Sequence, residues 1–275
     1  MKCITWNLKG IIGKASKQMD AIIQLQPDIV AFQEVTLNSI DIIRKQLSSS
    51  YASIVNSLEL VKDKSVLVGA RRYGVLIASN YKIQTLDPKL FDIPWQERIL
   101  SANIIHPKDT IEFHTAYIPP GSTNRWKKIE TLEGIYKRLA VKTDTKRILC
   151  GDFNTPQDEL VKYGAVTFAQ KINKIGIPKL KESFRGGSGK RWDEGERKIL
   201  EGLKEYNLID AYRHIHPIPK KAYSFEFVRK GKVVSQRRFD HFFSSKELNP
   251  KSAEYIHQLR KDKLSDHSPL EVIFN

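Results

Sequence analysis

The sequence is poor in cysteine, with Cys3 and Cys150 the only two in 275 residues. Two cysteines cannot form a disulfide framework, so a reducing compartment is expected. Neither sits in a CxxC or Cys/His spacing, which argues against zinc. Both lie in apolar runs and read as small buried hydrophobes. No apolar run approaches the ~20 residues that span a bilayer. A strand-like run, Cys3-Ile4-Thr5-Trp6, begins at once and leaves no room for a signal peptide, so a cytoplasmic location is expected. There is no internal repeat, heptad run or linker, and one domain over residues 1–275 is the expectation.

Acidic residues are also short. The chain has 31 Asp and Glu against 46 Lys and Arg, a formal net charge of +15. Such a surface attracts polyanions, nucleic acid first and an anionic membrane surface second.

What is present reads as a folded α/β protein. Apolar residues make up 40% of the chain and aromatics 9%, enough for a sizeable core. Residues 2–8, 28–35, 51–55, 65–68, 74–79, 99–105, 111–118, 147–150, 223–228, 233–243 and 270–274 read as strands. Residues 18–26, 39–47, 124–141 and 194–207 carry helical apolar stripes. Many strands and few helices suggest two packed sheets with helices outside. Residues 156–192 are poorly patterned, and Gly186-Gly187-Ser188-Gly189 reads as a flexible loop. Arg191 stands where a phosphate-binding P-loop needs Ser or Thr, which rules that motif out.

Polar residues cluster where the apolar runs end. Asn7, Glu34, Tyr117, Asp152 with Asn154, Asp240, and Asp266 with His267 all occupy such positions. Functional groups often sit where strands pass into loops. Carboxylates and amides without thiolates suit a hard cation, Mg²⁺ or Mn²⁺. Such an ion polarises a phosphoryl oxygen and helps to generate hydroxide. A histidine oriented by an aspartate can stabilise developing charge. The other histidines read as structural, and His241 should point away from Asp240 by strand alternation.

Six segments together resemble the endonuclease/exonuclease/phosphatase superfamily, which includes exonuclease III-type abasic-site endonucleases. They are Thr5-Trp6-Asn7, Phe32-Gln33-Glu34, Thr115-Ala116-Tyr117, Gly151-Asp152-Phe153-Asn154, Arg238-Phe239-Asp240 and Ser265-Asp266-His267. They occur in the family's order and run through nearly the whole chain. The resemblance implies a four-layer α/β/β/α sandwich with its site at one edge of the paired sheets. It implies Glu34 as the principal Mg²⁺ ligand, Asp266 as a further metal-holding group, and Asn7 as support for the metal and phosphate. Asp152 would orient or deprotonate the attacking water. Asn154 and His267 would contact the scissile phosphate, Asp240 would hold His267, and Tyr117 would place its hydroxyl near the phosphate or leaving oxygen. The reaction implied is in-line phosphoester hydrolysis without a covalent intermediate.

Family membership leaves the substrate open, and charge favours nucleic acid, DNA first. Basic residues crowd the chain between Arg213 and Arg238, interleaved with Tyr223, Phe225 and Phe227. The expected nucleic-acid contacts are Phe225, Lys230, Lys232, Arg237, Arg238 and Phe239, suited to a phosphate backbone and stacked bases. Abasic-site enzymes usually carry a Trp just before the Asp240 position, and Gln236-Arg237-Arg238-Phe239 has none. The expectation is a monomeric Mg²⁺-dependent DNA endonuclease or exonuclease, with abasic sites among its candidate targets. The alternatives are an RNase, a phosphatase or phosphodiesterase on a small or lipid phosphate, and a binding module without activity.

Overall fold

The computed structural model describes residues 1–275. Eight strands lead the chain: β1 Lys2–Asn7, β2 Ile29–Val35, β3 Ser53–Asn56, β4 Gly74–Ser79, β5 Lys82–Thr85, β6 Ile99–Ile105, β7 Thr110–Tyr117 and β8 Lys146–Asp152. One six-stranded sheet runs Pro250–Tyr255, Leu270–Phe274, β1, β2, β4, β3. The other runs Ile209–Asp210, Asp240–Ser244, β8, β7, β6, β5. Both sheets are mixed, since β1 pairs in parallel with β2 and β7 with β8, while the remaining pairs are antiparallel.

Three buried clusters explain the layers. Cys3, Ile29, Val75 and Leu270 of the first sheet meet Phe113, Ile148, Cys150 and Phe242 of the second. The strands at this interface are apolar on successive residues because both their faces are covered. Ile4, Val30, Phe32 and Leu76 turn the other way and bury helices Ala15–Leu25 and Leu37–Leu47 through Met19, Ile22, Ile40 and Ile43. Ala116, Leu149 and Phe243 do the same for helices Lys127–Leu139 and Gly189–Leu200 through Ile129, Leu132, Trp192 and Ile199. The result is the expected α/β/β/α sandwich, and both free cysteines lie buried in its middle.

Several local expectations change. Residues 65–68 do not extend as a strand: Lys64–Val66 is a single 3₁₀ turn whose Asp63 side chain accepts from Ser65 N–H. The helix expected over 194–207 starts earlier, at Gly189, where the Ser188 hydroxyl caps it by accepting from Arg191 N–H. It ends at Leu200 and continues as the 3₁₀ turn Gly202–Tyr206. Gly186–Gly189 is therefore no free loop: Gly187–Ser188 pairs with Ser183–Phe184. The run expected over 233–243 breaks after Arg237. Lys232–Arg237 pairs only with Phe225–Arg229 in a projecting hairpin, while Asp240–Ser244 enters the second sheet. No helix is long and apolar enough to cross a membrane.

Candidate active site

Register brings the second sheet's contribution into one row. Tyr117 is the neighbour of Asp152 across β7 and β8, and Asp152 is the neighbour of Asp240 on its other side. From the first sheet, Asn7 is the register partner of Gln33 at the C-terminal ends of β1 and β2. The closing segment before Leu270–Phe274 supplies His267 over the same edge. Six segments distant in sequence thus meet because the two sheets end together.

Glu34 reaches this edge through a backbone irregularity. Gln33 points between the sheets, where its amide nitrogen donates to Thr5 Oγ1 at 2.9 Å and Thr115 Oγ1 at 3.0 Å. Strict alternation would turn Glu34 to the opposite face. Instead the β2–β4 register shifts between Gln33 and Val35, and Glu34 has φ +58°. A bulge with one residue in the left-handed region re-aims a side chain, and a non-glycine residue held there costs local energy. Asn154 also has φ +51°, a region that asparagine tolerates.

The carboxylates share one amide. Asn7 Nδ2 donates to Glu34 Oε1 at 3.0 Å and to Asp152 Oδ2 at 2.8 Å. Its oxygen accepts from Lys9 N–H at 2.9 Å. Both polar atoms of Asn7 are therefore engaged with protein groups, and its amide nitrogen ties the two acids together. Asp152 Oδ1 accepts from Asn154 N–H at 2.9 Å. Asn154 Nδ2 donates to Ile118 O at 3.0 Å, and the Lys128 ammonium donates to Asn154 O at 2.8 Å.

His267 Nδ1 lies 2.7 Å from Asp240 Oδ2, and its Nε2 is 4.0 Å from Asp152 Oδ2. Trp6 Nε1 donates to His267 O at 3.0 Å, and the Phe225 ring packs 5.0 Å from the imidazole. Burial disfavours the imidazolium, but Asp240 and Asp152 outweigh it and raise the His267 pKa to about 10. Burial raises Asp152 to about 7, with His267 pulling in the opposite direction. His267 is thus a cation tied at Nδ1, with Nε2–H directed to the site.

Two places could hold a cation. Asp152, Asp240 and His267 offer ligand atoms within 4.8 Å of one another. In that cluster Asp240 Oδ2 is engaged by His267 Nδ1, while Asp240 Oδ1 is buried without a partner. Glu34 is the better candidate. It makes no ion pair, unlike Asp266, which faces the Lys9 ammonium at 3.0 Å. The Asn7 amide, the Tyr117 hydroxyl and, further off, the Arg98 guanidinium surround it with no sulfur among them, and an oxygen ligand without sulfur fits a hard divalent ion.

Two residues that sequence reasoning passed over complete the site. Arg98, 1% exposed, places its guanidinium 4.2 Å from the centre of the Tyr117 ring. Burial lowers its pKa, and its Nε and Nη1 have no partner. Tyr117 itself stays a neutral phenol, because burial and the nearby Glu34 raise its pKa far above the usual value. The one signal for Arg98 was a Glu97-Arg98 pair directly ahead of an apolar strand. Ser224 Oγ accepts from Phe239 N–H at 3.0 Å and Asp240 N–H at 3.1 Å, fastening the hairpin to the site.

The expected nucleic-acid contacts divide. Phe225 stacks on Phe239 with ring centres 5.5 Å apart, and Lys230 and Lys232 are exposed at the hairpin tip. Arg238 does not belong with them. It is 4% exposed and pairs with Asp210 at 2.7 Å and Glu159 at 2.9 Å, as alternation with Arg237 requires. His241 lies beside it, Nδ1 2.9 Å from Arg238 Nη1. Burial acts to raise the pKa of Glu159 and Asp210, but the charge of Arg238 outweighs it. Glu159 falls to about 2, and Asp210 is lowered as well. Carboxylates held low in the folded state stabilise it above their unfolded range near ~4, and that contribution fades as pH falls towards ~2. Arg238→Met leaves Asp210 without a guanidinium partner and Glu159 with Arg213 alone, and should cost about 3 kcal/mol in urea unfolding at pH 7. The deficit should shrink as pH is lowered through that window; a pH-independent deficit would contradict the pairing.

Comparison with known proteins gives a family and a fold. The family model described as Endonuclease/Exonuclease/phosphatase family matches residues 4–267. An AP endonuclease from Archaeoglobus fulgidus superposes with TM-score 0.72 at 20% identity, covering 100% of this chain and 99% of that one. A 3′-5′ exonuclease from Neisseria meningitidis gives TM-score 0.68 at 19% identity, covering 100% of both chains. D. rerio TDP2, solved with a single-strand DNA product, gives TM-score 0.66 at 14% identity, covering 100% of this chain and 98% of that one. No curated protein matches the sequence.

Proposed function

From the chain's membership of the endonuclease/exonuclease/phosphatase family, we propose that it is a Mg²⁺-dependent phosphodiesterase acting on nucleic acid, DNA first. The observation that carries this is the meeting of Glu34, Asn7, Asp152, Asn154, Tyr117, Asp240 and His267 at one sheet edge beside a basic, aromatic hairpin.

Glu34 is the residue placed to hold the cation, with Asp266 able to assist once released from Lys9. When bound, the ion polarises a phosphoryl oxygen and lowers the pKa of water. Asp152, kept in place by Asn7 and the Asn154 backbone, accepts the proton of the attacking water. His267 Nε2–H and the Asn154 amide donate to non-bridging phosphate oxygens and stabilise the charge that builds on them. Asp240 fixes the imidazole in orientation and charge. The Tyr117 hydroxyl, oriented by Arg98 against its ring, stands on the leaving-oxygen side.

A net charge of +15 favours a polyanion over a small phosphate. Hydrolysis with Mg²⁺ should be compared on abasic duplex, intact duplex, single-stranded DNA, RNA and an inositol phosphate. Turnover of the inositol phosphate alone would overturn the nucleic-acid reading. Removing Lys230 and Lys232 together should weaken binding on all sequences alike. It should also reduce the slope of log affinity against log salt by roughly 2.

A further inference from the structure

Beside Asn154 lies a cavity of about 450 Å³, within the usual range of small-ligand sites. Its walls are aromatic: Phe168 and Phe239 lie 6.2 Å apart, and Phe225 stacks on Phe239. Two of its cations are uncompensated. The guanidinium groups of Arg185 and Arg237 form neither a hydrogen bond nor an ion pair, and the Nε of each is buried without an acceptor. Arg237 lies 5.0 Å from the centre of the Phe168 ring. Arg185 lies 5.6 Å from that of Trp192, and its carbonyl accepts from Trp126 Nε1 at 3.2 Å. The third cation, Lys128, is neutralised by Glu196, buried behind the cavity wall. Desolvation lowers the pKa of both arginines, and the more distant Glu196 and Asp158 only partly offset it.

We propose that this cavity is the subsite for the base-bearing nucleotide next to the scissile phosphate. Its base lies against Phe168 and Phe239, and its second phosphate is held by Arg185 and Arg237. The proposal rests on the phosphodiesterase reading and sharpens its substrate class. Aromatic faces bind bases whatever their sequence, and paired guanidiniums suit phosphate. An abasic residue keeps its phosphates, so the two arginines would still be engaged, but its bare deoxyribose offers no π-face and the Phe168 and Phe239 wall would go unused. The substrate that fills the cavity is a strand or strand end carrying an intact base at this position.

The test compares three substrates in Mg²⁺: a single-stranded deoxyoligonucleotide, the same strand with an abasic residue beside the scissile bond, and bis(p-nitrophenyl) phosphate. A free deoxynucleoside monophosphate serves as competitor, to separate a strand-borne nucleotide from a free one. Wild type should prefer the intact strand. Arg185→Gln should lower kcat/KM on it roughly tenfold, mostly through KM, and by much less on bis(p-nitrophenyl) phosphate, which has no second phosphate. Phe168→Ala should erase the preference for an intact base. Faster cleavage of the abasic strand, or no effect of Arg185→Gln on the intact one, overturns the proposal. Strong competition by the free mononucleotide with no preference among the strands overturns it also. If wild type hydrolyses none of the three, the phosphodiesterase reading fails. Oligonucleotide titration of wild type against Arg185→Gln then decides the subsite, and equal Kd values reject it.

Discussion

Glu34→Gln should reduce Mg²⁺-dependent cleavage by at least ~10³-fold while leaving nucleic-acid affinity within about twofold of wild type. The reasoning is geometric and electrostatic. Glu34 is the one carboxylate at the site with no ion pair, and Asn7 Nδ2 already satisfies its Oε1. Glutamine preserves the size and can keep the Asn7 contact through its amide oxygen. It removes the charge that a divalent ion requires. Binding to the strand depends on cations elsewhere, at the hairpin tip and beside Arg237, so it should persist. Steady-state cleavage and a parallel binding titration check both halves. Chelator should abolish wild-type cleavage and added Mg²⁺ restore it, with no effect of either on the variant. Normal cleavage by Glu34→Gln would place the metal elsewhere, the Asp152–Asp240–His267 cluster being the next candidate.

The second large effect is expected at Asp152. Asp152→Asn should lower kcat by about 10²–10⁴-fold, the range for loss of a positioned proton acceptor, with little change in KM. The substitution keeps the shape but removes the proposed proton acceptor. It also removes one of the two charges that sustain the His267 imidazolium. The fold should survive, because Asp152 contacts only site groups: Asn7, the Asn154 backbone and amide, and His267 at a distance. Thermal unfolding checks this, and single-turnover cleavage measures the chemical step. A variant retaining wild-type kcat would mean that the proton leaves by another route.

These two residues differ in how far the sequence exposed them. Asp152 ends a regular apolar strand, so its place at a sheet edge could be read from the run Ile148-Leu149-Cys150 before it. Glu34 was found as part of a segment, but its direction could not be read. Alternation from Gln33 turns it the wrong way, and only the bulge and left-handed backbone bring it to the site. Arg237 and Arg238 show the reverse case. Both were read as nucleic-acid contacts from charge alone, although the same alternation puts neighbours on opposite faces. Arg238 is spent on Asp210 and Glu159, and Arg237 is free beside the cavity.

Residues 156–192 resisted reading for a different reason. They form short two-stranded pairings, Asp158–Leu160 with Gly164–Val166 and Gln170–Ile172 with Pro178–Leu180, too short to show a period. Yet they deliver Phe168 and Arg185 to the cavity beside Asn154.

The layered α/β class, the strand ends that carry polar groups and a charge suited to polyanions can all be read along the chain. These are local properties, set by period, composition and the residues that close each apolar run. The tertiary structure decided which charges are free and which are spent. That depends on partners far along the chain: Glu159 for Arg238, Lys9 for Asp266, none for Glu34, Arg185 or Arg237. An ion pair is a statement about two positions in space, and a linear sequence lists its members without saying which of them meet.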